Sequence, residues 1–167
     1  MTTSDHPAIA RFRDAHTLRG GTGRIITLPD SVHTAALAAE ALGCPVGAIA
    51  NSLLFEAAGP AEQAAVGGPV LILTSGDHRV DTAKVAAAIG VDKLKRATPE
   101  FVRAHTGQVI GGVSPIAHPA PVPTYLDTWL RRYDEIWAAA GHPAAVYSTT
   151  YDELLAMTGA VEIDVAD

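Results

Sequence analysis

Alanine-rich stretches with apolar residues at helical spacing alternate along this chain with short runs of β-branched and aliphatic residues. That alternation predicts a mixed α/β domain. Pro7 to His16 reads as a first helix, and Gly20-Gly21-Thr22-Gly23 breaks the chain before the strand-like Arg24 to Leu28, which Pro29 ends. Asp30 and Ser31 are N-cap candidates for an alanine-rich helix that runs to Leu42 and closes at Gly43. Val46 to Ala57 reads as a strand, followed by a loop around Gly59-Pro60 and Gly67-Gly68-Pro69. Val70-Leu71-Ile72-Leu73-Thr74 is a continuous apolar run, the pattern of a strand buried on both faces, and so the expected middle of the sheet.

Further along, Asp81 can cap a short helix through Ile89 that Gly90 terminates. Thr98-Pro99-Glu100 opens another with a cap, a proline in the first turn and an early acid, and Gly107 ends it. Pro119, Pro121 and Pro123 exclude regular helix or central strand and predict a surface crossing. Val122 to Leu126, Glu135 to Ala139 and Ala144 to Ser148 read as strands, with Gly141-His142-Pro143 turning the chain between the last two. Thr150 with Glu153 makes a capping box for a helix closed by Gly159, and the alternating Val161 to Val165 is a final strand.

At 167 residues and 48% hydrophobic, the chain suits one well-buried domain spanning residues 1–167, of which 1–30, a helix and a strand, say least about chemistry. Cys44 is the sole cysteine, so an intramolecular disulfide is impossible and a reducing, cytoplasmic setting is expected. Charged residues interrupt Met1 to Ala15, unlike a signal peptide, and no stretch reaches the roughly 18 apolar residues of a membrane span. The net charge of −6 argues against a broad basic face for DNA. Local clusters (Lys93, Lys95, Arg96 and Arg103; Arg131 and Arg132) could still meet one or two phosphates, although solvated faces are the plainer reading.

Candidate chemistry centres on Gly111-Gly112-Val113-Ser114-Pro115. Paired glycines let backbone approach a ligand closely, and a proline-locked exit keeps the loop's N–H groups in place for an anion, a phosphate or a developing oxyanion. A tight turn without a ligand has the same punctuation. The seven histidines form no helical pair at metal spacing, so no metal is expected. Ser114 is not in a nucleophile elbow, and no Walker or dinucleotide loop is present, so no cofactor is expected. Cys44 reads either as a thiolate nucleophile or, more simply, as a small apolar residue.

Taken together with His33-Thr34, Leu42-Gly43-Cys44-Pro45, Ile49-Ala50-Asn51-Ser52-Leu53-Leu54-Phe55 and Ser75-Gly76-Asp77, Asp81 and Lys84, the glycine loop resembles the YbaK/prolyl-tRNA-synthetase-associated domain family from about His33 to Val165. The resemblance implies an α/β (α+β) fold: a mixed, largely antiparallel or barrel-like sheet flanked by helices. It also implies hydrolysis of wrongly charged aminoacyl-tRNA, notably tRNA for proline carrying alanine or cysteine. Gly111, Gly112, Val113 and Ser114 match the family's Gly-x-x-x-Pro loop, whose amides hold the ester carbonyl and its tetrahedral intermediate. The resemblance also implies an attacking water positioned partly by the substrate's own ribose hydroxyl. His33, Thr34, Ser52, Ser75, Gly76, Asp81, Lys84, Pro115 and His118 become substrate-binding candidates, and the partners are an aminoacyl-tRNA 3′ end and a synthetase, with no DNA and no membrane.

One position departs from the family. The editing lysine of its Lys-(Ser/Thr)-Leu motif is Asn51 here, in Asn51-Ser52-Leu53. Three readings stay open: Asn51 serves a different substrate, another cation such as Lys84 or Arg79 substitutes, or the protein binds tRNA without efficient hydrolysis. The first is favoured because the carboxamide keeps a donor and an acceptor. The leading functional expectation is a deacylase acting in trans that Gly112→Val would silence without unfolding. A non-catalytic tRNA 3′-end or synthetase binding module is the alternative, and a hydrolase of small esters the third.

Overall fold

Why the chain builds a sheet with an open edge is clearest from its longest strand. The computed structural model describes residues 6–29, 34–58 and 68–166. Asp30, Ser31, His33, Gly59, Pro60 and Gly67 lie outside the described residues. Within them the chain runs α1 (Pro7–Leu18), β1 (Ile25–Thr27), α2 (Ala35–Leu42), β2 (Ile49–Ala58), β3 (Pro69–Ser75), α3 (Thr82–Ile89), β4 (Lys93–Arg96) and α4 (Pro99–Thr106). β5 (Thr124–Asp127), β6 (Ile136–Ala139), β7 (Ala145–Thr149), α5 (Tyr151–Thr158) and β8 (Val161–Ile163) follow. Eight strands form one mixed sheet in the order β1-β7-β6-β2-β3-β5-β8, with β4 also paired to β2.

For α3, α4 and α5 the helix signals read from the sequence are the ones used, whereas α2 begins at Ala35, not beside Asp30 or Ser31. Asp81, Thr98 and Thr150 cap α3, α4 and α5 through their side chains, and Gly90, Gly107 and Gly159 close them. For α2 the cap is Thr34, whose Oγ1 accepts from Leu37 N at 3.1 Å. Strand ends shift from expectation by one or two residues in several places, and two departures are larger. Val46–Ala48 forms a short 3-10 turn, so β2 begins only at Ile49. Lys93–Arg96, expected as a solvated cluster, is a strand: Leu94 alone is buried while its neighbours stay in water, and four such residues carry too little periodicity to reveal themselves.

Val70–Thr74 is an interior strand, between β2 and β5 and one place from the middle of the sheet, which is β2; it is buried on both sides, as its apolar run predicts, because each face of β3 meets a different core. Leu71 and Leu73 join a large core with Ile9, Phe12, Val102, Val113 and Leu126. Val70 and Ile72 join a second, with Val85, Ile89 and Leu94 beneath α3. A third, smaller core packs α2 on Ile49 and Trp137. Fully burying each such aliphatic side chain contributes about 1.5–3 kcal/mol.

β2 pairs continuously with β3 along one edge, from Ala50 opposite Ser75 to Glu56 opposite Pro69. Its other edge is shared. β6 takes only Ile49 and Ala50, and β4 takes Phe55 to Ala58. Asn51, Ser52, Leu53 and Leu54 are left between the two partners, with no strand paired to them on that edge.

Candidate active site

That gap opens into a cavity of about 1010 Å³ whose walls include Asn51, Ser52, Gly111, Val113, Thr34 and Ala138. Its size is that of a ligand site, for which about 300–1,000 Å³ is usual. Side chains alternate across a strand, so Ser52 shares the face of Ala50 and Leu54, which pack in the large core with Val113. Asn51 shares the opposite face with Ile49 and Phe55. Both line one cavity because it wraps the unpaired stretch of β2. Among the described residues neither side chain is engaged: Ser52 Oγ is buried without a hydrogen-bond partner, and the Asn51 carboxamide has none.

The glycine loop faces this cavity and is held from behind. α4 ends at Thr106, whose Oγ1 donates to Val102 O at 2.7 Å and accepts from Gln108 N at 3.0 Å. Gln108, thus placed and 6% exposed, reaches across the loop. Its Oε1 accepts from Ser114 N at 2.7 Å, and its Nε2 donates to Ser114 Oγ at 3.0 Å. Ser114 Oγ in turn donates to Ile116 O. From the far side His118 Nε2 meets Ser114 O at 2.8 Å and, facing a carbonyl, donates. Burial holds the His118 imidazole below its ordinary range, against the pull of that bond, and nearby Arg19 adds to the lowering.

These contacts sort the loop's amides. Gly112 N donates to Val109 O at 2.9 Å and Ser114 N is held by Gln108, so both are spent inside the protein. Gly111 N and Val113 N have no acceptor among the described residues, and both residues line the cavity. Gly111 has φ +85° with open space where a Cβ would stand. At Gly112 a Cβ would lie 2.7 Å from the backbone of His142 and Pro143. The expectation that Gly112→Val would spare the fold is therefore corrected, since the added atoms would collide with a backbone turn. Gln108 was not singled out in the sequence; a glutamine six residues before a serine carries no signal until the loop folds back on itself.

The remaining candidates divide by place. Thr34 lies at the cavity wall as the cap of α2. Pro115 and His118 line a different, smaller hollow of about 240 Å³ with Arg19 and Met157, on the other side of the loop. Ser75 and Gly76 stand apart from both, in a buried knot at the end of β3. There Ser75 Oγ donates to Gly47 O at 2.7 Å, and Ser75 N donates to Asp127 Oδ2 at 3.0 Å. Asp127 is fully buried and also meets His78 Nδ1 at 2.7 Å and Trp129 N at 3.0 Å. A Cβ at Gly76 would lie 2.3 Å from Val46 O, which explains its glycine. Asp81 caps α3. Lys84 Nζ meets Asp164 at 3.2 Å and Ala166 O at 3.1 Å, tying α3 to the chain's end rather than to the cavity.

Two cations do reach the cavity wall, Arg79 and Arg96. Cys44 is half-buried, and desolvation together with Glu135 pushes its thiol up, the wrong direction for a thiolate nucleophile. No group of three or more His, Cys, Asp or Glu side chains among the described residues is placed to hold a metal ion. No helix among them is long and apolar enough to cross a membrane.

Known proteins resemble this chain in fold and sequence. A crystal structure of a protein named as a candidate trans-editing enzyme for prolyl tRNA synthetase superimposes with a TM-score of 0.86 at 42% identity, over 97% of this chain and 98% of that one. YwhH of Bacillus subtilis (strain 168), itself uncharacterized, is 34% identical over 119 residues, 70% of this chain and 69% of its own. EbsC of Enterococcus faecalis (strain ATCC 700802 / V583), named as a candidate Cys-tRNA(Pro)/Cys-tRNA(Cys) deacylase, is 31% identical over 91 residues, 54% of this chain and 56% of its own. The sequence profile of the aminoacyl-tRNA editing domain matches residues 29–157, which take in the open edge of β2, the cavity and the glycine loop. The chain belongs to the aminoacyl-tRNA editing domain family.

Proposed function

We propose that this protein hydrolyses, in trans, the ester of a tRNA carrying the wrong small amino acid. The observation that carries the reading is the pair of uncommitted amides, Gly111 N and Val113 N, on a loop braced by Gln108 and facing a cavity of ligand size. Water adds to the ester carbonyl, and the charge that develops on its oxygen is met by these two N–H donors, already oriented before substrate arrives. Collapse of the tetrahedral intermediate breaks the bond to the ribose oxygen, which leaves with a proton as the tRNA hydroxyl, while the amino acid departs as a carboxylate. No side-chain nucleophile is required.

Ala50, Ala97 and Ala138 add small apolar side chains to the cavity wall, a surface on which an amino acid with a small apolar side chain can rest. Ser52 Oγ and the Asn51 carboxamide are the polar groups available there to the amino acid's own amine or side chain. The likeness to EbsC and to a trans-editing enzyme for prolyl tRNA synthetase supports tRNA for proline as the carrier and that synthetase as a working partner.

The test is deacylation of tRNA charged in turn with alanine, cysteine, serine, threonine and proline, by the natural protein, Gly111→Ala and Asn51→Lys. Hydrolysis of at least one ester by the natural protein, reduced in Gly111→Ala, is expected. Silence from all three proteins overturns the reading. A second reading, a binding module for tRNA 3′ ends, is favoured by the missing charge at Asn51 alone; silence that Asn51→Lys converts into turnover would establish it instead.

A further inference from the structure

The cavity's two arginines are not placed alike with the amides. In the antiparallel pairing of β2 and β4, Arg96 stands opposite Phe55, and paired residues project to the same face. That face is the one shared by Asn51, Leu53 and Phe55, away from the main core. Arg79, just beyond β3, lines the same cavity with its neighbour Val80. Leu53 lines the same cavity and is 39% exposed, one of few large aliphatic side chains the described surface leaves in water.

Neither guanidinium is spoken for. No hydrogen bond, ion pair or ring contact is recorded for Arg79 or Arg96 among the described residues, whereas Arg131 pairs with Glu162, Arg132 lies over Trp129 and Lys84 meets Asp164. The protein carries a net charge of −6, so two cations left unpaired among the described residues, in one cavity with an exposed apolar side chain, are out of keeping with the rest of its charge. Guanidinium is the side chain best matched to phosphate, and it keeps its charge at any working pH.

We infer that Arg79, Leu53 and Arg96 form a subsite for the single-stranded polynucleotide leading to the esterified ribose, with the guanidiniums on successive phosphates and a base resting on Leu53. The inference rests on the editing reading and extends it. The loop amides and small pocket take the ester and the amino acid, and this trough takes the nucleotides before it. The Asn51 face and the loop face are joined only around the open edge of β2, so the bound chain end bends through that gap. Asn51, lacking a charge, leaves phosphate binding to the two arginines. The trough also separates a tRNA deacylase from an esterase for small substrates, because a free aminoacyl ester has nothing to place there.

Two measurements on the intact protein test this together. The first compares kcat/KM for aminoacyl-tRNA with that for the same amino acid esterified to adenosine without a 5′ phosphate, in the natural protein, Arg79→Ala, Arg96→Ala and Arg79→Lys. Each alanine variant is expected to lower the tRNA-to-adenosine ratio about tenfold, the lower end for loss of a charge-assisted contact, and Arg79→Lys to restore most of it. The dependence of log kcat/KM on log salt should become shallower by about 0.7 per arginine removed. The second measures binding of an uncharged single-stranded oligoribonucleotide ending in CCA by fluorescence anisotropy, with the same variants. Turnover whose tRNA-to-adenosine ratio ignores both arginines overturns the trough and leaves the editing reading standing. Arginine-dependent oligonucleotide binding with no turnover of any ester keeps the trough and overturns the editing reading. Binding and turnover that both ignore the arginines leave Leu53 and its neighbours as ordinary surface.

Discussion

Replacing Gln108 with methionine keeps the length of the side chain and the filling of its buried site while removing the carboxamide that braces the glycine loop. In the folded protein Ser114 N then faces no acceptor, since its 2.7 Å bond to Gln108 Oε1 is its recorded partner and Ser114 is fully buried. A buried donor left unsatisfied costs about 1–3 kcal/mol. Losing the Nε2 bond to Ser114 Oγ adds less, because that hydroxyl still donates to Ile116 O. Gln108→Met should therefore destabilise the protein by about 2–3 kcal/mol, a fall in Tm of about 4–12 °C for a chain of this size. Because the brace also orients the Val113 amide, kcat for deacylation should fall by at least about tenfold while KM changes little. Thermal melts followed by circular dichroism, with single-turnover deacylation below the melting range, give both numbers. A Tm within about 1 °C of the natural protein, or a loss confined to KM, would refute the claim that Gln108 holds the loop.

The two loop glycines should respond differently. Gly111→Ala meets open space and costs only the strain of a left-handed backbone, about 1–2 kcal/mol, whereas Gly112→Ala drives a Cβ into the His142–Pro143 backbone and should lower Tm further; equal melts would contradict this. Asp127→Ala strands the amides of Ser75 and Trp129 and the His78 imidazole in a buried site, so urea unfolding should show a loss of about 3–5 kcal/mol. Burial keeps the folded His118 below its ordinary value of 6.5, so the unfolded chain takes up that proton first. Stability is then untouched above that value and declines as pH falls below it. His118→Gln should flatten the decline in urea midpoint between about pH 6.5 and pH 5, and an unchanged slope would assign it to other groups.

How much of this was legible beforehand depended on the range of the interaction. Asp81 with Gly90, Thr98-Pro99 with Gly107, and Thr150 with Glu153 and Gly159 bracket their helices as read, because a cap and its helix are neighbours in sequence. Val70 to Thr74 could be placed inside the sheet because burial on two faces removes the alternation that one wet face imposes. Lys93–Arg96 could not be read as a strand, since its pairing to Phe55–Ala58 is a contact between distant segments and only Leu94 marks it. For the site, the Gly111–Pro115 loop and Asn51-Ser52 were visible as motifs and come to line one cavity. Ser75, Gly76 and Lys84, matched by the same pattern, lie in structural knots elsewhere.

The sequence by itself determined most of the helices and strands, though not β4, together with the family and the presence of a backbone-rich loop suited to anions, all of which rest on local spacing. Only the tertiary structure decided which amides of that loop remain free, that Gln108 braces it, and that Gly112 is a packing requirement as much as a flexible joint. It also decided that β6 and β4 leave the middle of β2 uncovered, and so that Asn51, Ser52 and two unpaired arginines share a cavity. Each of those facts depends on which distant segment lies beside which, and on the hydrogen bonds that this juxtaposition either uses or leaves open.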